Sequence, residues 1–156
     1  MEIKLKKSSK LILYDQIKHV FEKEKYLDDI DSFQMRKSIT NFRCSDHKLK
    51  IEIGRHKKIP REERISESCR SEVETESHFL SKCPTCNNLR EQIFGKELID
   101  QNFEQNILIC KVKGWTLKIG NYIHKALRIR ESVIDTRNAH KRLLKQLLEE
   151  GSIIVV

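Results

Sequence analysis

The stretch 115-WTLKIGNYIHKALRIRES-132 decides the fold class. Leu117, Ile119, Ile123, Ala126, Leu127 and Ile129 recur at helical spacing, with Lys118, Lys125, Arg128 and Arg130 among them. Apolar positions three and four apart line one face of an α-helix, so this spacing predicts a helix over 115–132. Downstream, Leu143, Leu144, Leu147 and Leu148 predict a last helix over 135–150, stopped at Gly151. Upstream, Ser8-Ser9 caps a helix over 9–25, and Asp31-Ser32 caps another that places Phe33, Ile39 and Phe42 opposite Arg36, Lys37 and Arg43. A short helix over 46–53 ending at Gly54 competes with a strand, because Leu49, Ile51 and Ile53 also alternate. Pro84 suits a helix start, and Leu89, Ile93 and Phe94 carry that helix to Gly95; residues 96–113 are ambiguous.

Residues 64–76 are different. Only Ile65 and Val73 are apolar in a polar run, which fits a small hairpin or knuckle. The expected fold is therefore mainly α: a small helical domain with a short β-hairpin or zinc-knuckle-like insertion at its centre. It divides into 1–132, with the knuckle-like part at 64–90, and a C-terminal helix and tail over 133–156. Five Gly and two Pro in 156 residues are too few for the turns of an all-β sandwich.

The formal charge is +8, and it is unevenly spread. Residues 36–64 hold ten Lys/Arg against four acids, and 111–147 hold ten against two. Between them, 65–110 hold four against eight. Two basic blocks thus flank an acidic centre, a pattern that draws phosphate backbones by counterion release or simply keeps a surface solvated. No apolar run is long enough to span a bilayer, and no secretory signal is expected. Five cysteines, an odd number, in a Lys-rich chain point to a reducing compartment, so the expected location is intracellular, in nucleus or cytoplasm.

Cys69, His78, Cys83 and Cys86 form the one cluster with metal-like spacing. Zinc takes four thiolate or imidazole donors in a tetrahedron, usually as two close pairs joined by a loop. A helix start at Pro84 lowers the pKa of nearby thiols, which favours ligation. The competing reading makes Cys69 and Cys86 ordinary thiols and His78 a core or capping residue. No phosphate-binding glycine loop, metalloprotease helix or nucleophile elbow is present, so no enzyme is expected.

The runs Arg36–Arg43, Ser45–Arg55, Ile59–Ile65 and Glu74–Pro84, in that order, resemble the C-terminal region of LINE-type (non-LTR) retrotransposon reverse-transcriptase polyproteins. That region carries a zinc-knuckle-like pattern, two cysteines spaced by two residues followed by E-x-x-x-H-x-L/F-x-x-C-P. The resemblance implies zinc on Cys69, His78 and Cys83, but Ser66 stands where the family has its first cysteine. Either Cys86 substitutes as fourth ligand or the site is degenerate. The paired aspartates of a polymerase are absent, so the implied role is that of a detached, non-catalytic tail.

The first expectation is accordingly a nucleic-acid-binding module, with RNA the favoured partner. Arg36, Lys37, Arg43, Arg55, Lys57, Lys58 and Arg61 would meet phosphates from one block, and Lys118, Lys125, Arg128 and Arg130 from the other. The alternative is a structural remnant that binds a protein partner or itself through 135–150. Neither reading involves a membrane.

Overall fold

The computed structural model describes residues 22–96 and 115–149, together with Tyr14 and Lys18. Most of the expected helix over 9–25, the ambiguous stretch after 96 and the apolar end at 153–156 lie outside the described residues. The chain is mainly helical: α1 (Tyr26–Asp29), α2 (Phe33–Arg43), α3 (Lys50–His56), α4 (Asn87–Phe94) and α5 (Thr116–Glu149). Shorter turns link them, 3-10 at Arg61–Glu63 and Pro84–Cys86 and π-helical at His78–Lys82.

Ser32 caps α2 as expected, its Oγ accepting from the Met35 N–H at 3.4 Å. The buried stripe of α2 is Ile39 and Phe42, with Met35 partly covered. Phe33, expected on that stripe, is instead 64% exposed at the first turn. Both α2 and α3 end in Schellman motifs without glycine. After α2, the Asp46 N–H donates to the Asn41 carbonyl at 2.7 Å and Ser45 sits at φ 52°. After α3, the Ile59 N–H donates to the Gly54 carbonyl at 2.9 Å and Lys58 sits at φ 55°. These bonds satisfy carbonyls that a helix end leaves orphaned.

The segment with the helix-or-strand ambiguity is helical, but it starts later than expected and runs through Gly54 to His56. Gly54 is there for space rather than as a stop. A Cβ at this position would lie 2.6 Å from Arg64 Cγ and 2.7 Å from Cδ. Arg64 cannot easily yield, because its Nε donates to the Ile59 carbonyl at 2.9 Å and its Nη1 to the Ile51 carbonyl at 3.0 Å. Gly54→Ala should therefore destabilise by about 1–3 kcal/mol despite the better helix propensity of Ala. A urea midpoint equal to or above wild type would show that Arg64 moves aside at no cost.

The expected hairpin shrinks to one antiparallel bridge, Ile65 with Val73, and no strand forms among the described residues. The Ser66 N–H donates to the Glu72 carbonyl at 2.9 Å and the Glu74 N–H to the Arg64 carbonyl at 2.8 Å. The surrounding side chains are too polar to give a sheet an apolar face, and an isolated two-stranded ribbon is marginal without one.

The two helices expected at the C-terminal end are one, the 34-residue α5. From Asn121 to Glu149 there is neither Gly nor Pro, so nothing terminates it. Its packed part is the first half: Ile119, Tyr122, Ile123 and Ala126 meet Ile30, Ile39, Phe42, Phe79 and Leu80 in the core. Helix α2 and its approach come very close at Gly120, where a Cβ would stand 2.9 Å from Ile30 Cδ1 and 3.3 Å from Met35 Cβ. Phe94 packs against Trp115 and, edge-on at 74°, against Tyr122. No helix of the described residues is long and apolar enough to cross a membrane.

Glu24 ties the start of this structure to α2, pairing with Arg43 at 2.6 Å and Lys18 at 2.7 Å. Burial pushes its carboxyl up, but hydrogen bonds and charge from Lys18 and Arg43 more than offset this and hold it below the ordinary range. A carboxylate held low in the folded state stabilises above its unfolded value, about 4.5, and that contribution is lost as pH falls through the folded value. Below pH 4.5 the wild type should lose stability more steeply than Glu24→Gln. Parallel acid limbs in thermal unfolding would remove Glu24 from the account.

Candidate metal centre

Two local structures bring the donors together. The first is the turn after Ile65, where the Arg70 N–H donates to the Ser66 carbonyl at 2.9 Å and Arg70 adopts φ 60°. The Cys69 N–H points at Ser66 Oγ, 3.5 Å away. This turn presents the Cys69 thiol inward. The second is the π turn, closed by the Cys83 N–H on the His78 carbonyl at 2.7 Å. Positions five apart on an α-helix diverge by about 140°, and the wider π winding reduces that divergence. His78 and Cys83 can thus face the same point.

The donor atoms of Cys69, His78 and Cys83 all lie within 4.8 Å of one another. Cys69 Sγ and His78 Nε2 are 3.2 Å apart. Around tetrahedral zinc, sulfur and imidazole donors stand about 3.5 Å apart and two sulfurs about 3.8 Å. The group fits that scale and can hold a metal ion. His78 Nδ1 lies 3.3 Å from a Glu72 carboxylate oxygen. An imidazole that ligates through one nitrogen commonly donates its other N–H to a carboxylate, so Nε2 would be the ligating atom with Glu72 orienting the ring.

The electrostatics suit the same chemistry. Cys83 is brought down to about 4, chiefly by a hydrogen bond from the Cys86 thiol. Burial pushes Cys69 up, but hydrogen bonds from Ser66, Ser71 and His78 reverse this and leave it below the ordinary thiol range. Burial pulls His78 down, and Cys69 and Cys83 raise it beyond that. Two thiols held below their ordinary range beside an imidazole are a donor set on which a soft or borderline divalent cation can replace protons.

Cys86, expected as a fourth ligand, is not in the group. It is buried with the hydrophobic core, and its thiol serves Cys83 as a hydrogen-bond donor, which pushes its own pKa up. A buried pair of serines adjoins the group. Ser68 Oγ is 3.9 Å from Cys83 Sγ, and Ser66 Oγ is 3.1 Å from Ser68 Oγ and donates to Glu74 Oε1 at 3.1 Å. Both serines are almost fully buried. No sequence signal singles out Ser68 and Glu72, since Ser and Glu are ordinary residues of a polar turn.

The cluster is braced from behind. Arg90, 2% exposed, donates from Nε to the Leu80 carbonyl at 2.8 Å and from Nη2 to the Cys83 carbonyl at 3.2 Å. Tyr122 donates to the Leu80 carbonyl at 2.8 Å. Glu74 receives Arg130 through two bonds of 2.7 Å and the Lys50 N–H at 2.7 Å.

The expected phosphate-binding residues divide. Lys37, Lys57, Lys58, Arg61, Lys118, Lys125 and Arg128 are exposed. Arg36 donates to the Leu27 carbonyl at 3.2 Å, and Arg55 pairs with Glu52 at 2.7 Å. Arg43 and Arg130 do not belong with them. Arg43 is 3% exposed, paired with Glu24 and 5.4 Å from the Tyr26 ring centroid, and Arg130 is 4% exposed on Glu74. Each guanidinium is spent on a carboxylate inside the fold, so neither meets solvent phosphate. No family model matches the chain, and no curated protein or solved structure does either.

Proposed function

We propose that this chain is a non-catalytic nucleic-acid-binding module whose central turn is held by zinc on Cys69, His78 and Cys83. The observation that carries the reading is that donor group, with all its ligand atoms within 4.8 Å. Two thiolates and an imidazole favour zinc over hard cations such as magnesium or calcium. The basic surface supports nucleic acid as the partner. Lys57, Lys58 and Arg61 cluster where α3 ends, and Lys118, Lys125 and Arg128 project from α5, all exposed on a chain of formal charge +8. RNA is favoured over DNA by the resemblance to retrotransposon reverse-transcriptase tails, which also suggests an origin as such a tail and an intracellular setting.

The test is binding of single-stranded RNA across a salt series. The expected result is log affinity falling linearly with log salt, by about 0.7 per phosphate neutralised. Binding that is absent at low salt, or indifferent to salt, would rule the reading out.

One observation favours a protein-interaction role instead: Leu143 and Leu148 are each 53% exposed near the end of α5, and Leu144 is 39% exposed. On that reading, light scattering would show self-association abolished by Leu143→Lys with Leu148→Lys.

A further inference from the structure

Beyond its packed first half, α5 passes beside the turn that carries Cys69. Between them lies a cleft of ≈ 380 Å³. Ile134, Arg137, Asn138 and Lys141 line it from the helix, and Ile65 and Arg70 from the turn. The four helix positions are spaced by three, four and seven residues, so they share one face of α5. Neither Arg70, Arg137 nor Lys141 was among the phosphate-binding residues expected from the sequence, because they converge only once the turn is folded onto the helix.

We infer that this cleft receives one nucleotide of a single-stranded nucleic acid. The inference rests on the proposed nucleic-acid-binding function and assigns it a site. Three cations face the cleft. Its one acid, Glu67, pairs its carboxylate with Lys50, so the positive charge prevails. Arg137 Nη1 donates to the Glu67 backbone carbonyl at 2.7 Å. That bond fixes the guanidinium at the lip without neutralising it, since a carbonyl carries no net charge. A fixed guanidinium binds phosphate oxygens in bidentate fashion, and a concave surface of one sign concentrates anions.

The remaining walls suit a base. Ile65, 38% exposed, and Ile134 offer apolar surface to a flat ring. The Asn138 amide presents a donor and an acceptor together, the pair needed for the edge of a base such as adenine. The volume is that of a small-molecule site. A paired base shows only its groove edges, whereas an unpaired one can lay its face on the isoleucines, so the geometry selects single strands over duplex. The cleft also ties function to the metal turn, because Ser66 and Arg70, two of its lining residues, bracket Cys69.

The experiment compares the full 156-residue chain with Arg137→Gln/Lys141→Gln in binding a labelled single-stranded 12-nucleotide RNA across a salt series. Gln preserves helix propensity at both positions. The expected result is affinity weakened about tenfold or more near 0.1 M salt, with the salt slope reduced by about 1.4. Tight, salt-sensitive binding by wild type together with an unchanged slope in the variant would overturn the cleft and leave the broader function standing. No salt-sensitive binding by wild type would overturn both. Should the variant fold poorly, titrating the wild type with adenosine 5′-monophosphate decides the matter: the Asn138 side-chain amide should shift in NMR spectra, and an unmoved Asn138 signal would exclude the base-binding part.

Discussion

Arg130→Ala should destabilise the fold by about 3–5 kcal/mol, enough to leave a marginal domain partly unfolded. Glu74 is completely buried, and the Arg130 side chain is 5% exposed. Two bonds of 2.7 Å join them. Such a pair adds little over an apolar one, because both ions lose their hydration; losing one partner is what costs, since the other stays charged with no counterion in a medium of low dielectric. Glu74 also receives the Lys50 N–H at the start of α3 and the Ser66 hydroxyl from the knuckle turn. Its carboxylate therefore joins α3, the turn and α5, and the loss should spread to all three. Urea unfolding followed by circular dichroism reads the effect. Arg130→Lys retains the charge but not the two-pronged geometry, so it should fall between wild type and Ala. An Ala variant within 1 kcal/mol of wild type would mean that the pair does not form.

The division between what the sequence revealed and what it hid follows from the range of the interactions. Helix α2 was legible because its cap, Ser32, and its stripe, Ile39 and Phe42, are local signals. The π turn was not, because nothing in Ser77–Cys83 distinguishes a bond from residue 83 to 78 from the ordinary α pattern. Its stabilisation comes from distant partners, Arg90 and Tyr122, on the Leu80 carbonyl. Charge pattern alone groups Arg43 and Arg130 with the phosphate-binding cations, and only the fold places Glu24 and Glu74 beside them. The same holds for the metal group. Spacing brought Cys69, His78, Cys83 and Cys86 forward equally, but a residue three positions beyond Cys83 can either turn back to a shared ion or continue into the core. The chain takes the second course at Cys86, where α4 begins and the thiol packs with the apolar residues.

That distinction gives the second large effect. Purified with zinc, the protein should carry one ion per chain, and Cys83→Ser should abolish it while Cys86→Ser retains it. Zinc bound by the folded chain alone adds stability by mass action, about 4 kcal/mol when free zinc exceeds its dissociation constant a thousandfold. Chelation of wild type should therefore lower the thermal midpoint sharply and leave Cys83→Ser almost unmoved. Cys86→Ser should lower the midpoint with and without chelator, because it replaces a thiol packed among apolar residues with a more strongly hydrated hydroxyl. The fourth corner is open to a sharper test. Ser68 Oγ is 3.9 Å from Cys83 Sγ, and a thiolate there would complete a Cys₃His set from a position already buried. Ser68→Cys should tighten zinc by at least about tenfold and, with cobalt as the probe, deepen the thiolate charge-transfer absorption. Equal zinc in wild type and Cys83→Ser would show that the three donors converge without binding. The turn would then be held by its backbone bonds and by the Glu74–Arg130 pair, without a metal.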